Sequence, residues 1–374
     1  MKVEVRPVTS RRELNEFIEL PFRLHSTSRQ WVAPLRLERH AFLSRRLNPF
    51  FVEGDARLFL ARREGHVVGR ISAQVDPPFN RTQGNDWGMF GFLELEDDPE
   101  ILPALLATVE DWLRARGRDR MVGPMDFRVN DESGILVEGF EREPLIRQAW
   151  HPPHYARLCE EAGLAQVKDL LFWELAIADR ETMRPVILDL ARHARERHGI
   201  TIRHMTRRTL RADLDRLAEV YHAGWHDHWG FVPYTKADLD AAAIDLRVVF
   251  DARWAMVAER RGQTVGMALT VPDFNQVLRR MDGHLRPSIL WHYLRRDAIV
   301  DRVRVGFLGV KPEYQHLGVA AALYVEHFDV AVHAPPKWGE LGWVLEDNHR
   351  MNGTLQALGA RRVKRYRVYE RRFG

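Results

Sequence analysis

The sequence predicts an α/β fold, in detail an α+β arrangement around a mixed sheet, laid down twice in tandem. Three internal matches that recur in one order predict the duplication. Residues 56–69 and 252–266 both read as an apolar strand, a charged turn with glycine, and a second strand opened by Val-Gly. Gly69 and Gly266 lie 197 positions apart. Gly163-Leu164-Ala165-Gln166-Val167-Lys168 matches Gly359-Ala360-Arg361-Arg362-Val363-Lys364 at an offset of 196. Asp98-Pro99-Glu100 and Lys311-Pro312-Glu313 each follow an apolar strand and precede a long helix. Their offset is 213, so extra residues sit at different points in the two halves.

In chain order, each copy opens with a short strand (3–7; 201–204) that leads to helical segments (about 11–46; 210–250). The matched hairpin follows (57–75; 254–271), then a further apolar strand (88–95; 303–310). A long helix comes next (100–116; 318–333), and in the second copy Pro335-Pro336 stops it. A strand (119–123; 338–345), a short helix (154–162; 349–358) and a closing strand (167–176; 362–370) complete the unit. Residues 179–199 read as a connecting helix, with Val186, Leu190 and Ala194 on one face at a spacing of four. The expected division is 1–178 and 201–374, with 179–200 as a linker helix.

Composition bounds the function. The 374 residues are 45% hydrophobic and 29% charged, which excludes a disordered, collagen-like or disulfide-stapled chain. No apolar run approaches the roughly 18 residues of a spanning helix, and the first residues lack the apolar core of a signal peptide. Cys159 is the single cysteine, so a cytoplasmic protein is expected. Lys and Arg number 56 against 52 acids; only six are Lys, so the pI of 9.3 reflects arginine rather than a basic face. The densest cluster is Arg361-Arg362-Val363-Lys364-Arg365. Neither a nucleic-acid nor a membrane partner is expected.

The sharpest chemical signal lies in the second half. Strand residues 305–310 lead through Lys311-Pro312-Glu313-Tyr314 to Gln315-His316-Leu317-Gly318-Val319-Ala320, which opens a helix. Successive N–H groups at a helix start, beside a residue without a side chain, suit a diphosphate; the plain alternative is a packing glycine. The layout of strand, turn, Gln-x-x-Gly-x-Ala, helix, strand, Asn-containing helix and closing strand resembles the GNAT superfamily of acyl-CoA-dependent N-acyltransferases. The resemblance covers about 201–371 and, more weakly, 1–176.

The resemblance implies an acyl-CoA co-substrate, acetyl-CoA foremost, bound by Gln315, His316, Leu317, Gly318, Val319 and Ala320. The strand Leu308, Gly309, Val310 would line the pantetheine arm and offer an N–H to the thioester oxygen. Asn348 fits a family Asn after the fifth strand, and Asn352 lies one turn beyond it. The family's Tyr, expected seven residues past Asn348, is replaced by Leu355. Tyr366 and Tyr369 on the closing strand stand in as candidate acids, on opposite faces by alternation.

The run 222–234 carries His222, Trp225, His226, His228, Trp229, Phe231 and Tyr234. By the family layout it shapes the acceptor pocket, as an aromatic wall or as plain core. His226 and His228 are candidate bases for an amine, with Glu346 as a rival. No metal is expected, since the three histidines lack a zinc-enzyme motif. The first half lacks the phosphate loop, because 101–105 offer Pro103 and branched side chains. Its long polar segment 123–134 reads as a solvent-facing loop, with ligand contact as the alternative.

The leading expectation is an N-acyltransferase that moves an acyl group, foremost acetyl, to a small-molecule or peptide amine by direct attack, acting as a monomer or homodimer. The competing readings are a non-catalytic acyl-CoA-binding module and an aminoacyl transferase.

Overall fold

The computed structural model describes residues 2–178 and 183–374. The first copy runs β1 (Glu4–Pro7), α1 (Arg11–Leu24), α2 (Arg36–Phe42), β2 (Asp55–Arg63), β3 (His66–Val75), α3 (Pro77–Gln83), β4 (Gly88–Leu95) and α4 (Ile101–Arg114). It ends with β5 (Arg120–Gly123), β6 (Ile135–Glu138), α5 (His154–Glu161) and β7 (Ala165–Ala176). The second copy runs α6 (Pro185–Glu196), β8 (Ile200–His204), α7 (Leu210–Trp225), α8 (Lys236–Val249), β9 (Ala255–Arg260) and β10 (Gln263–Pro272). Then come α9 (Asn275–Leu278), α10 (Ser288–Leu294), β11 (Arg302–Val310), α11 (Val319–His333), β12 (Trp338–Leu345), α12 (His349–Ala357) and β13 (Arg361–Arg372).

The matched sequences fold alike. Both hairpins turn through two residues of positive φ, Glu64-Gly65 and Arg261-Gly262, which matches the twist of the flanking strands. After α5 the Leu164 N–H reaches back to Cys159 O, and after α12 the Ala360 N–H reaches Leu355 O, at 3.0 and 2.9 Å. In each copy the third and fourth sheet strands pair antiparallel, with Gly69 opposite Leu95 and Gly266 opposite Val310. That register matches Gly91-Phe92-Leu93-Glu94-Leu95 to Gly306-Phe307-Leu308-Gly309-Val310. A bulge interrupts both pairings close to those residues.

The molecule divides into two compact units that are not consecutive halves. One comprises Met1–Leu171, Leu278–Arg286 and Val363–Gly374; the other comprises Phe172–Val277 and Pro287–Arg362. β13, the last strand of the second copy, belongs to the first unit because its partners are there. Tyr369 lies opposite Gly123 of β5 and Tyr366 opposite Leu136 of β6. Tyr369 joins the core formed by Ile71, Leu105, Tyr155 and Cys159. β7 passes from the first unit to the second between Leu171 and Phe172.

In the first unit the strands follow the order β1-β2-β3-β4-β5-β13. The charged run on β13 is consumed locally: Lys364 is buried with its Nζ donating to Gln148 Oε1, and Arg365 and Arg367 both bind the buried Asp169. In the second unit the order is β7-β12-β11-β10-β9-β8, over a core of Leu214, Leu217, Leu239, Val257 and Met267.

α6 packs within the second unit, and its face differs from the expected one. Val186 and Leu190 are exposed, whereas Ala191 and Ala194 are buried. Small side chains on that face let α6 approach the turn before α11 closely. Residues 179–182, the start of the expected connecting helix, lie outside the described residues.

Candidate functional site

In the second unit β11 and β12 run parallel and pair only from Arg302 opposite Trp338 to Val305 opposite Leu341. Beyond Val305 the two strands separate, and β11 continues to Val310 with β10 alone. The Lys311 N–H donates to Val265 O on β10 at 2.9 Å. Backbone directions alternate along a strand, so the N–H groups of Val310 and Leu308 point away from β10, toward the opening. The Gln315 side-chain amide also approaches Val310 O from that side, at 3.4 Å.

An aromatic cluster flanks this opening. Trp225 lies against Gly309, where a Cβ would stand 2.7 Å from the indole, and its ring is 5.2 Å from Phe307. Tyr221 adds contacts to Trp225, Phe231 and Tyr234. The last turn of α7 and the loop after it therefore supply an apolar wall beside β11. His228 is half-buried with its ring 6.2 Å from Trp225. His226 is exposed, with Nε2 3.0 Å from Asp227 Oδ2. Glu346 is half-buried just past the end of β12.

The turn expected to cradle a diphosphate is a 3-10 segment, Pro312–Leu317, closed by Gly318 at φ 76° and followed by α11. His316 is exposed, Leu317 and Val319 are buried, and Ala320 is half-buried. Gln315 Oε1 accepts from Arg350 Nη1 at 3.0 Å, which brings an exposed guanidinium to the loop. Arg350 is a residue the sequence reading missed; its position in the first turn of α12 was the available signal. Gly318 also serves packing, since a Cβ there would stand 2.7 Å from Leu190 O of α6.

Two expected coenzyme-binding residues and one candidate acid have protein partners. Asn348 caps α12, with Oδ1 accepting from the Met351 N–H at 3.0 Å. Asn352 donates to Leu345 O and Glu346 O while its Oδ1 accepts from Trp173 Nε1. Tyr366 lies on β13 in the first unit, buried, and its hydroxyl donates to Ala149 O at 2.7 Å. Strand pairing with β6 holds it there.

The first unit has the same strand separation, and its own chain fills it. β4 and β5 pair only at Gly88–Met121 and Met89–Val122. The segment 123–134 then folds inward, with Met125, Phe127 and Val129 fully buried, so the solvent-facing expectation is overturned. Phe127 stacks on Phe50 at 4.9 Å and meets Phe92 edge-on at 4.8 Å. Four aromatic neighbours offer more apolar contact than water does, which is why a polar-looking loop turns inward.

Its strand N–H groups are also taken. The Phe92 N–H donates to Asp126 Oδ1 at 2.7 Å, and the Leu95 N–H, the counterpart of Val310, donates to the Tyr155 hydroxyl at 3.0 Å. That hydroxyl donates to Glu94 Oε2, which also meets His25 Nε2 at 2.8 Å, with Arg70 nearby. Burial alone would raise the Glu94 carboxyl, yet His25 and Arg70 hold it down at about 2. Burial pushes His151 down to about 4 and lifts Asp131 to about 6. Burial and the neighbouring Glu132 push Asp126 up to about 8. Sequence reasoning missed this cluster, because its members are scattered from 25 to 155.

No protein-family model matches the chain. Among solved structures, a tandem GNAT protein from the clavulanic acid biosynthesis pathway covers 100% of this chain and 99% of its own, at a TM-score of 0.60 and 14% identity. A GNAT acetyltransferase from Sphaerobacter thermophilus covers 100% and 96%, at 0.52 and 12%. The fold is therefore a tandem GNAT fold. "Protein YghO" of Escherichia coli is 32% identical over 375 residues, 98% of this chain and 95% of that protein. "Bacterial ceramide synthase" of Caulobacter vibrioides is 33% identical over 378 residues, 99% of this chain and 97% of that protein. With identity of that degree along nearly the whole of both chains, this protein belongs to the family of the bacterial ceramide synthase and YghO.

Proposed function

We propose that the protein is an N-acyltransferase that transfers the acyl group of an acyl-CoA to the primary amine of a long-chain amino alcohol, giving a ceramide-like amide. The observation that carries this reading is the 33% identity to the bacterial ceramide synthase over 99% of the chain. The second unit's separated strands and aromatic wall support it, since they provide backbone donors beside an apolar surface.

Acyl-CoA supplies an activated acyl carbon as thioester. Gln315, with Arg350 beside it, and the turn to Gly318 would hold its diphosphate. The Leu308 and Val310 N–H groups would stabilise the charge developing on the carbonyl oxygen. The amine nitrogen bonds to the acyl carbon as the carbon–sulfur bond breaks. His228, packed beside Trp225, takes the amine proton, with the exposed His226 and Glu346 as rivals. One coenzyme binds per chain, in the second unit.

The test is thiol release from acyl-CoA, with the amide identified by mass spectrometry, over short amines and long-chain amino alcohols. Coenzyme binding without turnover on any amine would favour the binding-module reading. Dependence on charged tRNA would favour aminoacyl transfer.

A further inference from the structure

The second copy carries an insertion that the first lacks. The connection between β3 and β4 spans residues 76–87, whereas that between β10 and β11 spans 273–301. The second connection is 17 residues longer, which is within one residue of the rise in repeat offset from 197 to 213. At its centre is α10, a helix with no buried residue at all.

One side of α10 is anchored. Tyr293 stacks edge-on against Phe274 at 6.2 Å, and its hydroxyl accepts from Arg207 Nη2 at 3.1 Å. Arg296 lies over the Tyr293 ring at 4.7 Å. The other side carries Leu290, Trp291 and Leu294, at the i, i+1, i+4 positions of one helical face. They are 63%, 59% and 68% exposed, among the least covered large apolar side chains of the described residues. Water gains nothing from a tryptophan and two leucines held together on a rigid helix.

The charge along that face is mostly positive, the nearest carboxylate in sequence being Asp297, which pairs with Arg253 at 3.1 Å. From Arg286 to Arg296 the sequence holds three arginines and one histidine and no carboxylate. Arg286 and Arg295 are exposed, and Arg295 lies over the Trp291 ring at 5.2 Å. A short helix with an apolar Leu/Trp face and arginines at its edges suits the interface of an anionic bilayer. The apolar side chains enter the acyl boundary there, while the guanidinium groups meet phosphates and the indole sits at headgroup depth.

We propose that α10 docks the protein onto the surface of an anionic phospholipid bilayer, through Leu290, Trp291 and Leu294 framed by the exposed Arg286 and Arg295. No helix among the described residues is long and apolar enough to cross a membrane, so the contact is peripheral. It departs from the expectation of no membrane partner, because an exposed apolar helix face can bind a bilayer surface without any long apolar run. It also stands on the helix alone and holds whatever the acceptor of the acyl group proves to be.

The experiment is flotation of the full chain with vesicles of phosphatidylglycerol and phosphatidylcholine mixed ~1:1, against phosphatidylcholine alone. The native chain is expected to float with the mixed vesicles, and to do so at least ~tenfold less with neutral ones or in ~0.5 M salt. The variant L290S/W291S/L294S should lose binding by ~tenfold or more with an unchanged Tm, since it alters exposed positions only. Acyl transfer to a water-soluble short-chain amine should be unchanged in that variant. Absence of flotation by the native chain, or equal flotation by the variant, overturns the proposal. So does a native dimer, detected by sedimentation, that the variant dissolves without any lipid effect, for then the face is covered by a second copy.

Discussion

Replacing Gly318 with alanine tests whether the turn before α11 owes its glycine to packing as well as to a ligand. The residue sits at φ 76°, ψ 15°, where an L side chain costs about 1–2 kcal/mol. Its Cβ would stand 2.7 Å from the Leu190 carbonyl oxygen and 3.4 Å from the Ala194 Cβ. Both neighbours are held in α6, so relief requires the helix to move, and overpacking of this kind costs about 1–3 kcal/mol. The sum is roughly 2–5 kcal/mol, read as a fall in urea midpoint or a Tm drop of roughly 4–20 °C for a unit of this size. Gly318→Asn meets the same oxygen but tolerates the left-handed conformation better, so it should lose less. If the alanine variant stays within about 0.5 kcal/mol of the native chain, α6 does not rest on this glycine and the packing argument fails. Gly318→Glu would for the same reason lose coenzyme affinity and stability together, and a clean binding test belongs elsewhere.

Arg350→Ala provides that test: coenzyme A affinity by calorimetry should fall ~tenfold with little change in Tm, and unchanged affinity would remove Arg350 and Gln315 from the site. His228→Gln should lower kcat by roughly 10²–10⁴-fold at neutral pH; a loss below about tenfold moves the base to His226, Glu346 or water. Asp126 titrates near 8 when folded and near 4 when unfolded. Its contribution is therefore fully present below about pH 4 and is lost as pH rises toward about 8. Asp126→Asn keeps an acceptor for the Phe92 N–H and removes the titration, so its urea midpoint should change less than the native one between about pH 5 and pH 8; equal changes would contradict the buried-acid account. Phe127→Ala should cost about 3–5 kcal/mol by chemical denaturation, whereas a solvent-facing residue would cost almost nothing.

Local rules made the element order legible. The turn pairs Glu64-Gly65 and Arg261-Gly262, the caps after α5 and α12 and the break at Pro335-Pro336 are each written in a few adjacent residues. Strand partners are not. Nothing near Tyr366 says that β13 pairs with β5 and β6, because pairing depends on which edge is open once the whole chain has folded. The same holds for segment 123–134, whose polar residues hide Phe127, and the aromatic socket that draws it in comes from residues 42 to 92. At the site, the loop 315–320 was visible as spacing. The uses made of Asn348 and Asn352 depend on backbone groups that no spacing reveals.

The placement of β13 has a consequence for synthesis. The first unit takes in Val363–Gly374, so its sheet stays open at β5 until about 240 more residues have left the ribosome. At bacterial-type rates of roughly 5–20 residues per second, that interval is on the order of ten seconds to a minute. During it, the unpaired edge of β5 and the hydrophobic socket for Tyr369 are exposed to the cell. Emergence of residues 363–374 is therefore the event that lets the first unit close.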